Sequence, residues 1–118
     1  MAYFWVFIGG GLGSLCRFGL ASWLNRAEVY PWGTFVANGL SCIILGMLVA
    51  VFSKQGLSAE LRLLLVTGFC GGFSTFSTFS NELVQMLRHA NYFAAGSYLF
   101  GSILFGLLAI WLGMRLIN

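Results

Sequence analysis

Aspartate is absent from this 118-residue chain, histidine and proline occur once each, and charged residues make up only 8%. Soluble domains carry about 25% charged residues, so this chain has too few charges to cover a water-facing surface. The three glutamates (Glu28, Glu60, Glu82) fall near the ends of apolar stretches and the single histidine, His89, falls between two of them. A nucleophile, a base and an orienting group therefore have nothing to be assembled from at membrane depth, and catalysis is not expected. Cys16, Cys42 and Cys70 lie inside apolar stretches without CxxC spacing, which argues against a disulfide framework or a zinc site and makes them small packing residues. No basic run is present, so nucleic acid has no electrostatic footprint here. The first twenty residues lack a basic n-region, and a cleaved signal peptide is not expected.

Apolar residues fill the remainder: 59% of the chain, with a mean hydropathy of +0.91. Charges and turn residues divide it into four spans, at about 2–24, 32–52, 62–88 and 92–116, forming one domain. Each approaches or exceeds the roughly 20 residues that cross a hydrocarbon core. Ser58, ahead of Ala59-Glu60, suits an N-cap opening the third span. Tyr3, Trp5, Trp23, Tyr30, Trp32, Tyr92 and Trp111 fall near span ends, as interfacial aromatics do. The expected fold is an all-α integral membrane protein with four antiparallel transmembrane helices per subunit.

The third span carries an interruption, Gly71-Gly72-Phe73-Ser74-Thr75-Phe76-Ser77-Thr78-Phe79-Ser80. A glycine pair followed by five hydroxyls is tolerated in hydrocarbon only where protein or water satisfies the polar groups. A break near the middle of that helix is therefore expected. Lys54, Arg62 and Arg115 fall on one side of the membrane, Arg26 and Arg88 on the other. Three against two gives the positive-inside rule almost nothing to act on, which predicts insertion in both orientations and an antiparallel, dual-topology homodimer. Gly9/Gly13, Gly10/Ser14, Ser97/Gly101 and Ser102/Gly106 each sit four apart, spacing that allows close helix contact. Four short helices are too few to enclose much of an aqueous path alone.

The polar groups at depth are donors. Asn38 and Ser41 share a face of the second span, and Ser74, Ser77, Thr78 and Asn81 form one helical stripe on the third. Tyr98 and Ser102 form another stripe on the fourth, and Arg17 is the one charge well inside a span. Hydroxyls, amides and phenols donate to anions, and without deep carboxylates this set reads as an anion route. Each member also has a packing explanation. Ser and Thr bond to their own i−4 carbonyls or join helices, Asn38 can bridge two helices, and Arg17 can snorkel to the interface or serve a vestibule. Phe73, Phe76 and Phe79 recur at a spacing common in packing, yet a ring edge is electropositive and can contact a small anion weakly enough for conduction.

With these residues assembled, the chain resembles the fluoride channel family known as Fluc or CrcB. The likeness covers essentially the whole chain: Gly9-Gly10 through Gly13 to Arg17, Gly33-Thr34-Phe35-Val36-Ala37-Asn38, and Gly68-Phe69-Cys70-Gly71-Gly72 through Ser80. The resemblance implies passive fluoride export through two pores per antiparallel homodimer, in the lipid bilayer of the bacterial plasma (inner) membrane. It implies a fluoride pore lined by Phe76 and Phe79 with Asn38 as pore amide. Ser77, Thr78, Tyr98 and Ser102 would extend a hydroxyl track, and Arg17 would be a vestibule or structural residue. It further implies a structural sodium ion at the dimer interface, held by backbone carbonyls of Gly71 and Ser74. The family commonly has two threonines where this chain has Ser74-Thr75, and can carry a further hydroxyl where this chain has Gly106. A small multidrug-type exporter shares the size and four spans but needs a carboxylate at depth. A non-transporting assembly protein would explain the small-residue faces but not the clustered donors.

Overall fold

The computed structural model describes residues 1–24, 31–54, 56, 58–74 and 76–117. The first connection, with Arg26, Glu28 and Tyr30, and Thr75 in the break lie outside the described residues. Helices α1 (Ala2–Leu24) and α2 (Trp32–Lys54) form the first two spans. The third span, Ala59–Arg88, is two pieces: α3 (59–73) and α4 (Phe76–Arg88). Helix α5 (Tyr92–Ile117) is the fourth. All four spans are long and apolar enough to cross a membrane, and the described residues contain no strand.

Local chemistry sets the ends. Ser58 accepts from Leu61 N–H at 3.2 Å and so starts α3 at Ala59, satisfying one of the amides a helix start leaves free. At the end of the third span Asn91 N–H reaches Met86 O at 2.8 Å and Ala90 N–H reaches Leu87 O at 3.0 Å. Ala90 takes the left-handed conformation, φ 59°, that such a helix stop requires.

Large apolar side chains point outward and small ones inward. Phe7, Phe18, Phe93 and Phe100 are exposed, while Gly9, Gly13, Gly39, Gly46, Ala50, Ala95, Ala109 and Gly113 are buried. This pattern fits lipid as solvent, where helices associate by close backbone packing rather than by burying leucine. Contacts advance together along α1 and α3, from Gly9 against Gly68 and Phe69 to Gly13 against Gly72 and Phe73. They also advance together along α2 and α5, where Gly39 faces Phe105 and Gly46 faces Met114. Both pairs are therefore parallel, as alternate members of an up-down chain must be. In the fourth span the close approach falls at Gly113, against Ile43 and Met47, whereas Gly101 meets nothing within 4 Å.

The third span departs from regular helix twice. Leu63–Cys70 is wound as a π-helix, and Gly71 N–H points to the carbonyls of Gly68 and Val66. π-Turns are one way that membrane helices absorb an irregularity without orphaning backbone groups. After Phe73 the chain extends at Ser74 (φ −108°, ψ 147°) and resumes as α4 at Phe76. Around the break, Phe79, Met86, Ala95 and Tyr98 form a small core, with Phe35, Leu83 and Leu99 packed on it.

Candidate functional site: a groove at the broken span

Three elements meet where the third span breaks. Asn38 and Cys42 from α2, Ser74 from the break, Phe76 and Phe79 from α4, and Ser102, Ile103 and Gly106 from α5 line an open groove of about 320 Å³. Phe79 is buried against Tyr98, with ring centroids 4.9 Å apart, and lies 6.2 Å from the Phe76 ring, which is 79% exposed. One ring is thus fixed by packing, and the other projects from the subunit surface.

The groove wall holds unsatisfied polar atoms. Among the described residues, Asn38 Oδ1 and Ser102 Oγ are buried without a hydrogen-bond partner. Such atoms cost about 1–3 kcal/mol each when left unmade, which is tolerable where a polar guest supplies the partner. A serine hydroxyl can turn its proton toward that guest, and an amide turned about its axis offers its NH₂ group.

At the break, polar side chains gather on the last carbonyls of α3. Ser74 N–H and Ser74 Oγ both donate to Cys70 O, at 3.1 and 2.9 Å. Buried Ser41 Oγ lies 3.3 Å from Cys70 O and 3.4 Å from Ser74 Oγ. Arg17 Nε, arriving from α1, donates to Gly72 O at 3.1 Å. Gly71 is exposed, and a side chain there would meet nothing within 4 Å of its Cβ.

Asn38, Phe76, Phe79 and Ser102 thus share the groove with Ser74. Ser77 is exposed and Thr78 half-buried on α4, outside the groove lining. Tyr98 is fully buried, and its phenol donates to Glu82 Oε1 at 2.8 Å. The other oxygen, Oε2, accepts from Thr34 Oγ1, also at 2.8 Å. Glu82, which the sequence places near a span end, is a half-buried carboxylate clasped between α2 and α5. A signal was present, since Glu82 follows Thr78 by four residues on the polar stripe, but its two hydroxyl partners are 48 and 16 residues away. Tyr98→Phe should leave that carboxylate one donor short and lower stability by about 1–3 kcal/mol. Thermal unfolding in detergent checks this; an unchanged midpoint would mean that the carboxylate finds another partner.

These features define a multi-pass α-helical membrane protein whose broken span opens on a groove lined by donors and phenyl rings. The chain belongs to the CrcB family: the profile described as "CrcB-like protein, Camphor Resistance (CrcB)" matches residues 4–114. A protein of Phocaeicola vulgatus named "Fluoride-specific ion channel FluC" is 41% identical over 111 residues, covering 92% of each chain. Proteins of the same name from Oceanobacillus iheyensis and Thermus thermophilus are 42% and 40% identical; they cover 94% and 97% of this chain, and 87% and 91% of their own lengths. The lack of an enzyme constellation in the sequence accords with relatives named as ion channels.

Proposed function

We propose that this protein is a fluoride-selective channel that passively exports fluoride across the bacterial plasma membrane. The observation that carries the reading is the groove itself, where the unpartnered Asn38 and Ser102 oxygens stand beside the Phe76 and Phe79 rings. Amide and hydroxyl donors replace part of the hydration of a small anion, and ring edges add weak positive potential. Among the described residues no fixed positive charge lines the groove, so an anion that enters is free to leave, as conduction requires. Hydrogen fluoride is a neutral weak acid that crosses lipid and dissociates in the cytoplasm. The channel lets the trapped anion leave, helped by about 2.3 kcal/mol per charge per 100 mV of inside-negative potential.

The working unit is an antiparallel homodimer with two pores. Balanced loop charge supports dual insertion. A second copy would cover the exposed Gly71 and Phe76, because irregular backbone at membrane depth needs protein or water against it. The break also suits a structural sodium ion at the centre of that dimer. Side chains already engage the carbonyls of Cys70 and Gly72, whereas Gly71 lies on the open surface beside the extended Ser74. Their carbonyls are hard neutral donors of the kind that bind sodium at unwound membrane helices. Bound there, the ion would neutralise the carbonyl dipoles of two facing breaks and take no part in transport.

Glu82 gives a proton-coupled exporter its one foothold, since that chemistry needs a carboxylate at depth. Both Glu82 oxygens are held by hydroxyl donors away from the groove lining, an arrangement for bracing helices rather than for exchanging cargo. Liposomes containing the purified protein separate the readings. Fluoride should flow out without a pH gradient and chloride should stay. Absence of fluoride efflux from the unaltered protein would defeat the channel reading, and chloride efflux at a similar rate would defeat selectivity. Purification with sodium replaced by a bulky organic cation should dissociate the dimer and abolish efflux; indifference of both would remove the ion from the scheme.

A further inference from the structure

We propose that Arg17 is a positioning residue that pins the broken end of α3, rather than an anion ligand. Gly9, Gly13 and Arg17 follow at i, i+4 and i+8, one face of α1. The two glycines bring that face onto the α3 backbone: a Cβ on Gly9 would lie 2.9 Å from Phe69 N, and one on Gly13 2.7 Å from Phe73 N. One turn further, the same face delivers the half-buried Arg17, whose Nε donates to Gly72 O at 3.1 Å. In an unbroken helix that carbonyl would accept from the amide of Phe76, four residues on. The extended Ser74 removes that partner, and the guanidinium replaces it. The replacement also sets a positive charge at the C-terminal end of α3, where the helix dipole favours a cation.

The pin explains two features together. Gly72 must lack a side chain because α1 lies directly on it; a Cβ there would come within 2.5 Å of Gly10 O. A charge within a membrane span is paid for by a charge-assisted bond to a carbonyl that would otherwise be orphaned. Because Ser74 and Phe76 stand two and four residues beyond the pinned Gly72 and line the groove, a loosened Gly72 would let the groove wall drift.

Amide hydrogen exchange on the full chain in lipid nanodiscs tests the pin without reference to transport. In Arg17→Gln, exchange across 71–80 should rise by about tenfold, the scale of one lost charge-assisted bond, while 92–117 stays at the wild-type rate. Arg17→Lys keeps the charge but not the planar Nε, and should recover part of the protection. Should the glutamine variant fail to fold, the lysine variant decides alone, because its 71–80 exchange must still exceed wild type. Unchanged exchange across 71–80 overturns the proposal. The flux arm rests on the channel reading: the saturating fluoride rate should fall while the half-saturating concentration holds. A raised half-saturating concentration with unchanged exchange would place the guanidinium on the anion instead, and also overturns the pin. If the unaltered protein passes no fluoride, the channel reading falls and the exchange rates still decide the pin.

Discussion

Fluoride efflux should fall by roughly ten- to a hundredfold in Phe76→Ile, with little change in stability. A cation over a desolvated ring face gains about 2 kcal/mol; the same quadrupole attracts an anion at the ring edge, and on that scale each 1.36 kcal/mol lost at a barrier is tenfold in rate. Phe76 is suited to the test because its ring is 79% exposed on the subunit and contributes little to the core. Isoleucine keeps the apolar bulk and removes only the polarised ring edge. The buried Phe79, packed on Tyr98, would confound such a measurement by loosening the core. Phe100→Ile, at another exposed ring (70%) on α5 outside the groove lining, should leave efflux unchanged. Equal loss in both variants would point to general damage, and no loss in Phe76→Ile would remove the ring from the conduction path. Asn38→Ala, which deletes a groove amide, should lower efflux by about tenfold on the same scale.

The spans and the break were legible in the sequence for different reasons. Length and hydropathy set the helices, since lipid leaves no other use for runs such as Cys42–Phe52. The break was legible because Gly71-Gly72 and a train of hydroxyls have no reason to stand together in an uninterrupted apolar helix. The π-winding of Leu63–Cys70 had no such signal. It falls where Gly9 of α1 packs on Gly68 of α3, a contact that local sequence does not spell out.

The candidate site was legible only in part. Helical periodicity grouped Ser74, Ser77, Thr78 and Asn81 on one stripe, but it cannot say which of them a neighbouring helix turns into a cavity. Ser74 reaches the groove because the break reorients it, whereas Ser77 and Thr78, back in regular helix, stand outside the lining. Tyr98 shares a stripe with Ser102 in sequence, yet its long phenol reaches past the groove to Glu82. Cys42, read as packing, shares the wall with Gly106, whose added Cβ would meet its sulfur at 3.6 Å. Side-chain reach and helix rotation decide these assignments, and neither is encoded in spacing.

Gly13→Val should abolish the folded state, while Gly11→Ala, two residues earlier on the same helix, should leave it intact. Valine at 13 would drive its Cβ to 2.7 Å from Phe73 N and 3.1 Å from Gly72 C. These are backbone atoms of a neighbouring helix and cannot rotate away as a side chain would. Overpacking in a core that can adjust costs about 1–3 kcal/mol; here relief requires α1 to move off α3 as a body. That movement would also withdraw Arg17 from Gly72. A Cβ at Gly11 meets nothing within 4 Å, and alanine there gains about 0.5–1 kcal/mol of helix propensity over glycine. Monodisperse yield by size exclusion, with thermal unfolding of whatever survives, reads both variants. Equal behaviour would show that α1 and α3 do not depend on glycine-close contact. A folded but inactive Gly13→Val would instead mean that α1 can slide on α3, and the break would then be held by α2 and α5 alone. The structure argues against that outcome, because among the described residues the polar links between the break and α2 run through Ser41 alone, to Ser74 Oγ and to the carbonyl and thiol of Cys70. On the α1 side the same break is seated along four glycines and closed by a guanidinium.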